Sequence, residues 1–360
     1  MRAGLCGLAA ALALIPGIST AAGPGGPTGP TLSPEIAREY VKPHDLIDIG
    51  GGRKINLYCM GSGDRTVLFD AGGSDWSVIW SLVQPALAGD ARVCTYDRAG
   101  LGYSDPSPFP RTPVAIVEDM RTLIVAAKLP TPLVLVGHSL GGFNVKLYAA
   151  LYPEDVAGLV LVDPSEERSS ERSRELLRSR YGAAFAARSE LRDNTFGTFL
   201  MERYRRCMEA ARQGPMDPKS DTYRRCSDPV RTQMGDVVAA ERARIQVGQN
   251  YQLAQASEIL NSIYGDERGD VIFRDLFRPG VFGDKPLIVL THGRFDPEDP
   301  MDAAAQVTWV ALHQETARLS TRGKQRTLPN TSHNIELDDP QSIVDAVREV
   351  LKALGPVKKG

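Results

Sequence analysis

Residues 133–152 read LVLVGHSLGGFNVKLYAALY. An apolar run of strand length passes through Gly137-His138-Ser139-Leu140-Gly141 into a segment with helical patterning that stops at Tyr152-Pro153. The pentapeptide is a G-x-S-x-G motif in the strand-to-helix setting that gives those letters structural meaning. A turn this sharp strains its central residue, so the positions two before and two after must be small. Both are glycine, and Gly142 leaves further room for the helix to pack. Ser139 is the candidate nucleophile.

Outward from this stretch the pattern repeats. Thr66–Asp70, Arg92–Tyr96, Gly158–Val162 and Pro286–Thr291 are short apolar runs, as expected for strands buried on both faces of a parallel sheet. Asp45–Ile49 and Lys54–Cys59 flank three glycines and predict a hairpin. Helical patterning fills Val78–Leu87, Thr112–Ala127 and Gly142–Leu151. Strand-helix alternation of this kind predicts an α/β domain with a doubly wound, mostly parallel sheet. It stops after Asp163. Residues 165–282 are rich in Arg and Glu, show helical patterning at Glu171–Arg192, Phe199–Arg212 and Val237–Gln252, and contain no convincing strand. The sheet pattern then resumes, so a mainly helical insertion, placed where a lid would sit, divides a core of residues 40–164 and 283–355.

The N-terminus has its own signature. Arg2 precedes an apolar run from Leu5 to Leu14, a Pro16-Gly17 break and small residues through Ala22, the order of a secretory signal peptide. The run falls short of the roughly 20 apolar residues that span a bilayer, so no stable membrane span is expected in the mature chain. Residues 1–22 read as the signal and 23–39 as a Gly/Pro-rich linker, with an exported protein as the expectation. Of five cysteines, four (Cys59, Cys94, Cys207 and Cys226) then remain, an even number that permits two disulfides. A net charge of −2 gives no basic excess for nucleic acid. No Cys/His spacing or phosphate-binding loop points to a metal or cofactor. A small-molecule substrate is the expected partner, and nothing sets an oligomeric state.

A serine hydroxyl needs a neighbouring base. Among five histidines, His44 precedes the core, His313 lies in a helical segment (Ala303–Leu319), His138 adjoins the nucleophile, and His292 directly follows a strand. His333, in a loop ahead of the C-terminal helix Gln341–Leu354, is the candidate base for the chain order Ser, acid, His. The base needs a carboxylate to fix its tautomer. Asp163 and Asp296 both lie just beyond buried-looking strands, with Asp299 a weaker choice. The oxyanion donors are expected at the Leu140 N–H and in the loop Ala71-Gly72-Gly73-Ser74, with Gly73 the choice there.

LFDAGG (68–73), YDRAGLGYSD (96–105), GHSLGG (137–142), LTHGRFDP (290–297) and NTSHNIELDDP (330–340), in this order, resemble the α/β-hydrolase superfamily, particularly its lid-bearing, esterase-like members. The resemblance covers about Asp45 to Leu354 and is weakest in the insertion. It implies a serine hydrolase acting on a carboxylic ester, with an amide, lactone, peroxy acid or carbon–carbon bond as alternatives, or a non-catalytic binder on the same fold. The likeness of HGRFDP to an acid loop implies Asp296 as the acid. Asp97 and Arg98 are implied to be loop scaffolding. The usual leading His of the oxyanion loop is replaced by Ala71. The superfamily sets the strand of Cys59 beside that of Cys94, which implies a Cys59–Cys94 disulfide and leaves Cys207–Cys226 to staple the insertion.

Overall fold

The computed structural model describes residues 31–263, 273 and 275–356. The expected export signal and the first eight residues of the linker (23–30) lie outside them. Eight strands form one sheet: β1 (Asp45–Asp48), β2 (Lys54–Met60), β3 (Thr66–Asp70), β4 (Arg92–Tyr96), β5 (Leu133–His138), β6 (Val156–Val162), β7 (Leu287–His292) and β8 (Gly323–Leu328). Their spatial order is β1-β2-β4-β3-β5-β6-β7-β8. The β1–β2 and β2–β4 pairs are antiparallel and all others parallel. The longer helices are α1 (Pro34–Tyr40), α2 (Pro113–Ala126), α3 (Leu140–Leu151), α4 (Ser169–Tyr181), α5 (Ala183–Arg212), α6 (Gly235–Gln246), α7 (Gln249–Glu258), α8 (Pro300–Ala317) and α9 (Pro340–Leu354).

The apolar runs make central strands because alternate residues feed two different cores. Val67, Phe69, Val134, Val136, Val160, Val162, Ile288 and Leu290 face one core, closed by residues 76–87 and α9. Leu68, Leu133, Leu135, Leu159, Leu161, Leu287 and Val289 face the other, closed by α2 and α3. Each such side chain contributes about 1.5–3 kcal/mol on burial, so the sheet is rigid at the strand ends where the site lies. The opening hairpin forms as expected, and β8 (GKQRTL), a polar edge strand, has none of the apolar signal.

Three boundaries differ from the sequence reading. The folded part begins before Tyr40: Leu32 is buried and its N–H bonds the Gln233 carbonyl, while Ser33 caps α1. The Gly/Pro-rich composition hid one apolar anchor and one cap. Within the insertion, the expected helix 171–192 breaks at Gly182, whose φ of +87° ends α4, and α5 then runs on unbroken for 30 residues. The expected helix 237–252 likewise divides at Val247-Gly248. Cys59 pairs with Cys94, its direct register partner across β2 and β4, and Cys207 pairs with Cys226 inside the insertion. Among the described residues no helix is long and apolar enough to cross a membrane.

Candidate active site

The last residue of β5 is His138, and the next, Ser139, has φ +51° and ψ −119° before α3 opens at Leu140. A non-glycine residue is rarely held there unless its surroundings over-determine it. The Ser139 N–H bonds the Val162 carbonyl at 3.0 Å, and the Ser139 carbonyl accepts from Phe143 and Ser165. A Cβ on Gly137 would lie 2.3 Å from the Gly141 carbonyl oxygen. One on Gly141 would lie 2.3 Å from the Asp70 carbonyl oxygen and 2.4 Å from that of Ala71. Gly141→Ala should therefore push the 70–72 segment away, costing about 1–3 kcal/mol in stability. Thermal unfolding of the purified variant checks this, and an unchanged midpoint would contradict it.

The 71–74 loop lies against the turn. A Cβ placed on Gly72 would be 3.5 Å from the Ser139 Cβ, and one on Gly73 3.9 Å from the Leu140 Cβ. The Gly73 and Leu140 backbones, where the oxyanion donors are expected, thus lie close together at the serine turn, with the Leu140 N–H also at the positive end of α3.

His333 is joined to Asp163, not to Asp296. Its Nδ1 lies 2.5 Å from the Asp163 Oδ2. Asp163 also accepts from the His292 Nδ1 at 2.7 Å, the His292 N–H at 3.1 Å and the Trp309 indole at 3.0 Å. Burial favours the neutral acid, yet the two imidazoles hold its pKa well below the usual carboxylate range. Burial also works against protonating His292, but the charge of Asp163 outweighs this and raises the His292 pKa.

The expectation of Asp296 beside His333 is thereby corrected. Gly293, Arg294 and Phe295 carry Asp296 out of the site, where it accepts from the Glu298 N–H while its own N–H bonds Asp302. Asp299 caps α8 through the Met301 N–H and pairs with Arg192. Asp163 follows β6 with no intervening residue, as Ser139 follows β5. The parallel register His138↔Val162 therefore sets Ser139 and Asp163 on neighbouring strand ends, about 5 Å apart in the direction of the sheet. That shared offset was a usable sequence signal. His292, which directly follows the strand β7, bonds Asp163 itself, and His313 supports Asp163 from behind by bonding Thr291 and the Pro164 carbonyl.

Beneath this lies a second histidine pair. The His138 ring centroid is 4.8 Å from that of His333, and its Nε2 bonds the His333 carbonyl at 2.8 Å. The acceptor is a carbonyl, so Nε2 carries the proton and Nδ1 is bare. Burial, then repulsion from His333, pushes the His138 pKa to about 3. Glu336 Oε1 faces that Nδ1 at 3.5 Å. Asp163, His292 and His333 have ligand atoms within 4.8 Å of one another, a spacing that could hold a metal ion, though here those atoms bond each other.

The strand order, the turn at Ser139 and the family model agree. The chain matches the alpha/beta hydrolase fold model over residues 65–340 and belongs to that family. It is similar to the uncharacterized protein YqjL of Bacillus subtilis, 24% identical over 81% of this chain and 85% of that one. A (lyso)-N-acylphosphatidylethanolamine lipase of Mus musculus is 38% identical, over 28% of this chain and 31% of the lipase. A relative from Hormonema carpetanum is spanned over 18% of its length. A thermophilic esterase from Thermogutta terrifontis shares the fold at TM-score 0.53 and 19% identity, over 87% of this chain and 99% of that one.

Proposed function

We propose that this hydrolase is an exported serine esterase that cleaves carboxylic esters through an acyl-enzyme on Ser139. The observation that carries the proposal is the His333–Asp163 pair beside a serine held at a strained strand-to-helix turn. Ser139 Oγ attacks the acyl carbon as His333 Nε2 takes its proton, forming a tetrahedral oxyanion. Asp163 keeps the other imidazole proton on Nδ1 and balances the imidazolium. The Leu140 and Gly73 N–H groups receive the oxyanion. Collapse expels the alcohol, which takes the proton back from His333. Water, activated by the same base, then releases the acid and restores Ser139.

In this reading the helices between β6 and β7 form the lid over a small-molecule substrate. Export accords with two disulfides, which persist in oxidising compartments, and with the N-terminal pattern. Reaction of the purified protein with a fluorophosphonate, followed by peptide mass spectrometry, tests the nucleophile. The adduct is expected on Ser139 in the wild type and absent in His333→Ala. A folded wild type that does not label at Ser139 would reject the serine mechanism.

A further inference from the structure

The turn from Gly72 to Asp75 carries the proposed Gly73 oxyanion donor, yet the core does not hold it alone. It is closed by the Asp75 N–H on the Gly72 carbonyl, with Ser74 at φ +67°. Left-handed backbone at a serine is strained and needs outside support. Two lid helices and the segment before them supply it. Glu258, the last residue of α7 and wholly buried, accepts the Ser74 N–H on Oε2 at 2.9 Å. On the far flank, Asp75 receives Arg242 of α6 and Arg231, each at 2.7 Å.

Glu258 also grips Arg98, with Oε1 2.6 Å from Nε and Oε2 2.9 Å from Nη2. Such a two-point pair fixes the guanidinium plane as well as its position. Arg98 passes that orientation on. Its Nη1 bonds the Asp70 carboxylate at 2.7 Å and the Ala71 carbonyl at 2.6 Å, and its Nη2 bonds the Gly72 carbonyl at 2.7 Å. The Gly72 carbonyl and the Gly73 N–H belong to one planar trans peptide and point in opposite directions. Fixing the carbonyl toward Arg98 therefore fixes the N–H away from it. From these contacts we infer that Glu258 is a positioning residue, supplied by the lid, that aims the Gly73 N–H at the oxyanion through Arg98 and the Ser74 N–H. The inference rests on the oxyanion role proposed for Gly73. A lid that is out of place leaves the hole without its aim, so turnover is tied to the closed arrangement.

Steady-state hydrolysis of p-nitrophenyl butyrate by the full chain tests this with Glu258→Gln, which removes the charge and keeps one acceptor oxygen. With that oxygen on the Ser74 N–H and the Arg98 Nη2, the amide NH₂ meets the Arg98 Nε donor to donor and the two-point pair is broken. The expected loss is about 10²-fold in kcat with KM within about threefold, the scale and pattern of losing one oxyanion donor. Inhibition by a trifluoromethyl ketone, which becomes an oxyanion hemiketal on Ser139, should weaken in parallel. Glu258→Asp keeps the charge next to Arg98 but is a methylene short of reaching Ser74 as well. It should lose kcat in the same direction, and it decides the matter if Glu258→Gln fails to fold. A folded variant with kcat within about threefold of wild type, or a loss confined to KM with ketone inhibition unchanged, overturns the inference. A wild type that does not label at Ser139 overturns the serine mechanism itself, which separates the two failures.

Discussion

Asp163→Asn should lower kcat for p-nitrophenyl butyrate by about 10⁴-fold while leaving the fold intact, and Asp296→Asn should stay near wild type. The carboxylate of Asp163 takes both imidazole Nδ1 groups on one oxygen and the His292 N–H and Trp309 indole on the other. An asparagine keeps one acceptor oxygen. Trp309 and the His292 N–H hold that oxygen in place, so the amide NH₂ must face the two imidazoles. Two donors cannot face each other, so His333 is driven to the tautomer with its proton on Nε2. That tautomer has no lone pair for the Ser139 proton. Among the described residues the Asp296 side chain accepts only from the Glu298 N–H, so its change to asparagine should leave His333 undisturbed. Kinetics of the two variants with matched circular dichroism check the assignment. A severe Asp296→Asn alongside a mild Asp163→Asn would return the acid to the β7 loop.

Glu336→Gln should make the protein more stable at pH 9, by an amount on the order of 4 kcal/mol. Glu336 is wholly buried, and neither carboxyl oxygen has a hydrogen-bond partner among the described residues. Burial raises its pKa from 4.5 to about 8; Arg231 opposes the rise, and Asp75 and Asp338 add to it. The bare Nδ1 of neutral His138 faces it, an arrangement that suits a protonated carboxyl and not a carboxylate. Below pH 4.5 the carboxyl is protonated whether the chain is folded or unfolded, and its contribution to stability is complete. Between 4.5 and about 8 only the folded chain keeps the proton, so stability falls steadily as pH rises. Above about 8 the folded protein carries a buried charge. Glutamine preserves shape without that charge, so the difference between variant and wild type should open across this window. Thermal unfolding from pH 5 to 9 checks it, and parallel curves for the two proteins would reject the neutral carboxyl.

The parts of the fold that read well from sequence share a physical basis. LVLVGHSLGG shows its strand, turn and helix because the strand is buried on both faces and the turn tolerates only glycine at 137 and 141. His333 stood out as the candidate base because few histidines exist and only one sits in a loop before the C-terminal helix. The parts that read poorly share a basis too. GKQRTL is an edge strand whose backbone pairs with β7 while its side chains meet solvent, so no apolar run marks it. Charged sequence in the insertion masks the single glycine at 182 that separates two helices. The partner of His333 was misread because two aspartates follow two adjacent strands, and a likeness of loops favoured the one that the chain carries away.

By itself, the sequence determined the alternation that builds the sheet, the strained serine turn, the candidate base and the cysteines available for pairing. These depend on residues close in the chain, whose burial and backbone preferences leave a local mark. Only the tertiary structure decided which carboxylate meets His333, and that Glu258, Arg231 and Arg242 hold a turn more than 150 residues before them. Charged side chains leave no periodic trace of their partners. Their pairing is set by strand register and by how the insertion folds back over the sheet, and both are properties of the assembled chain.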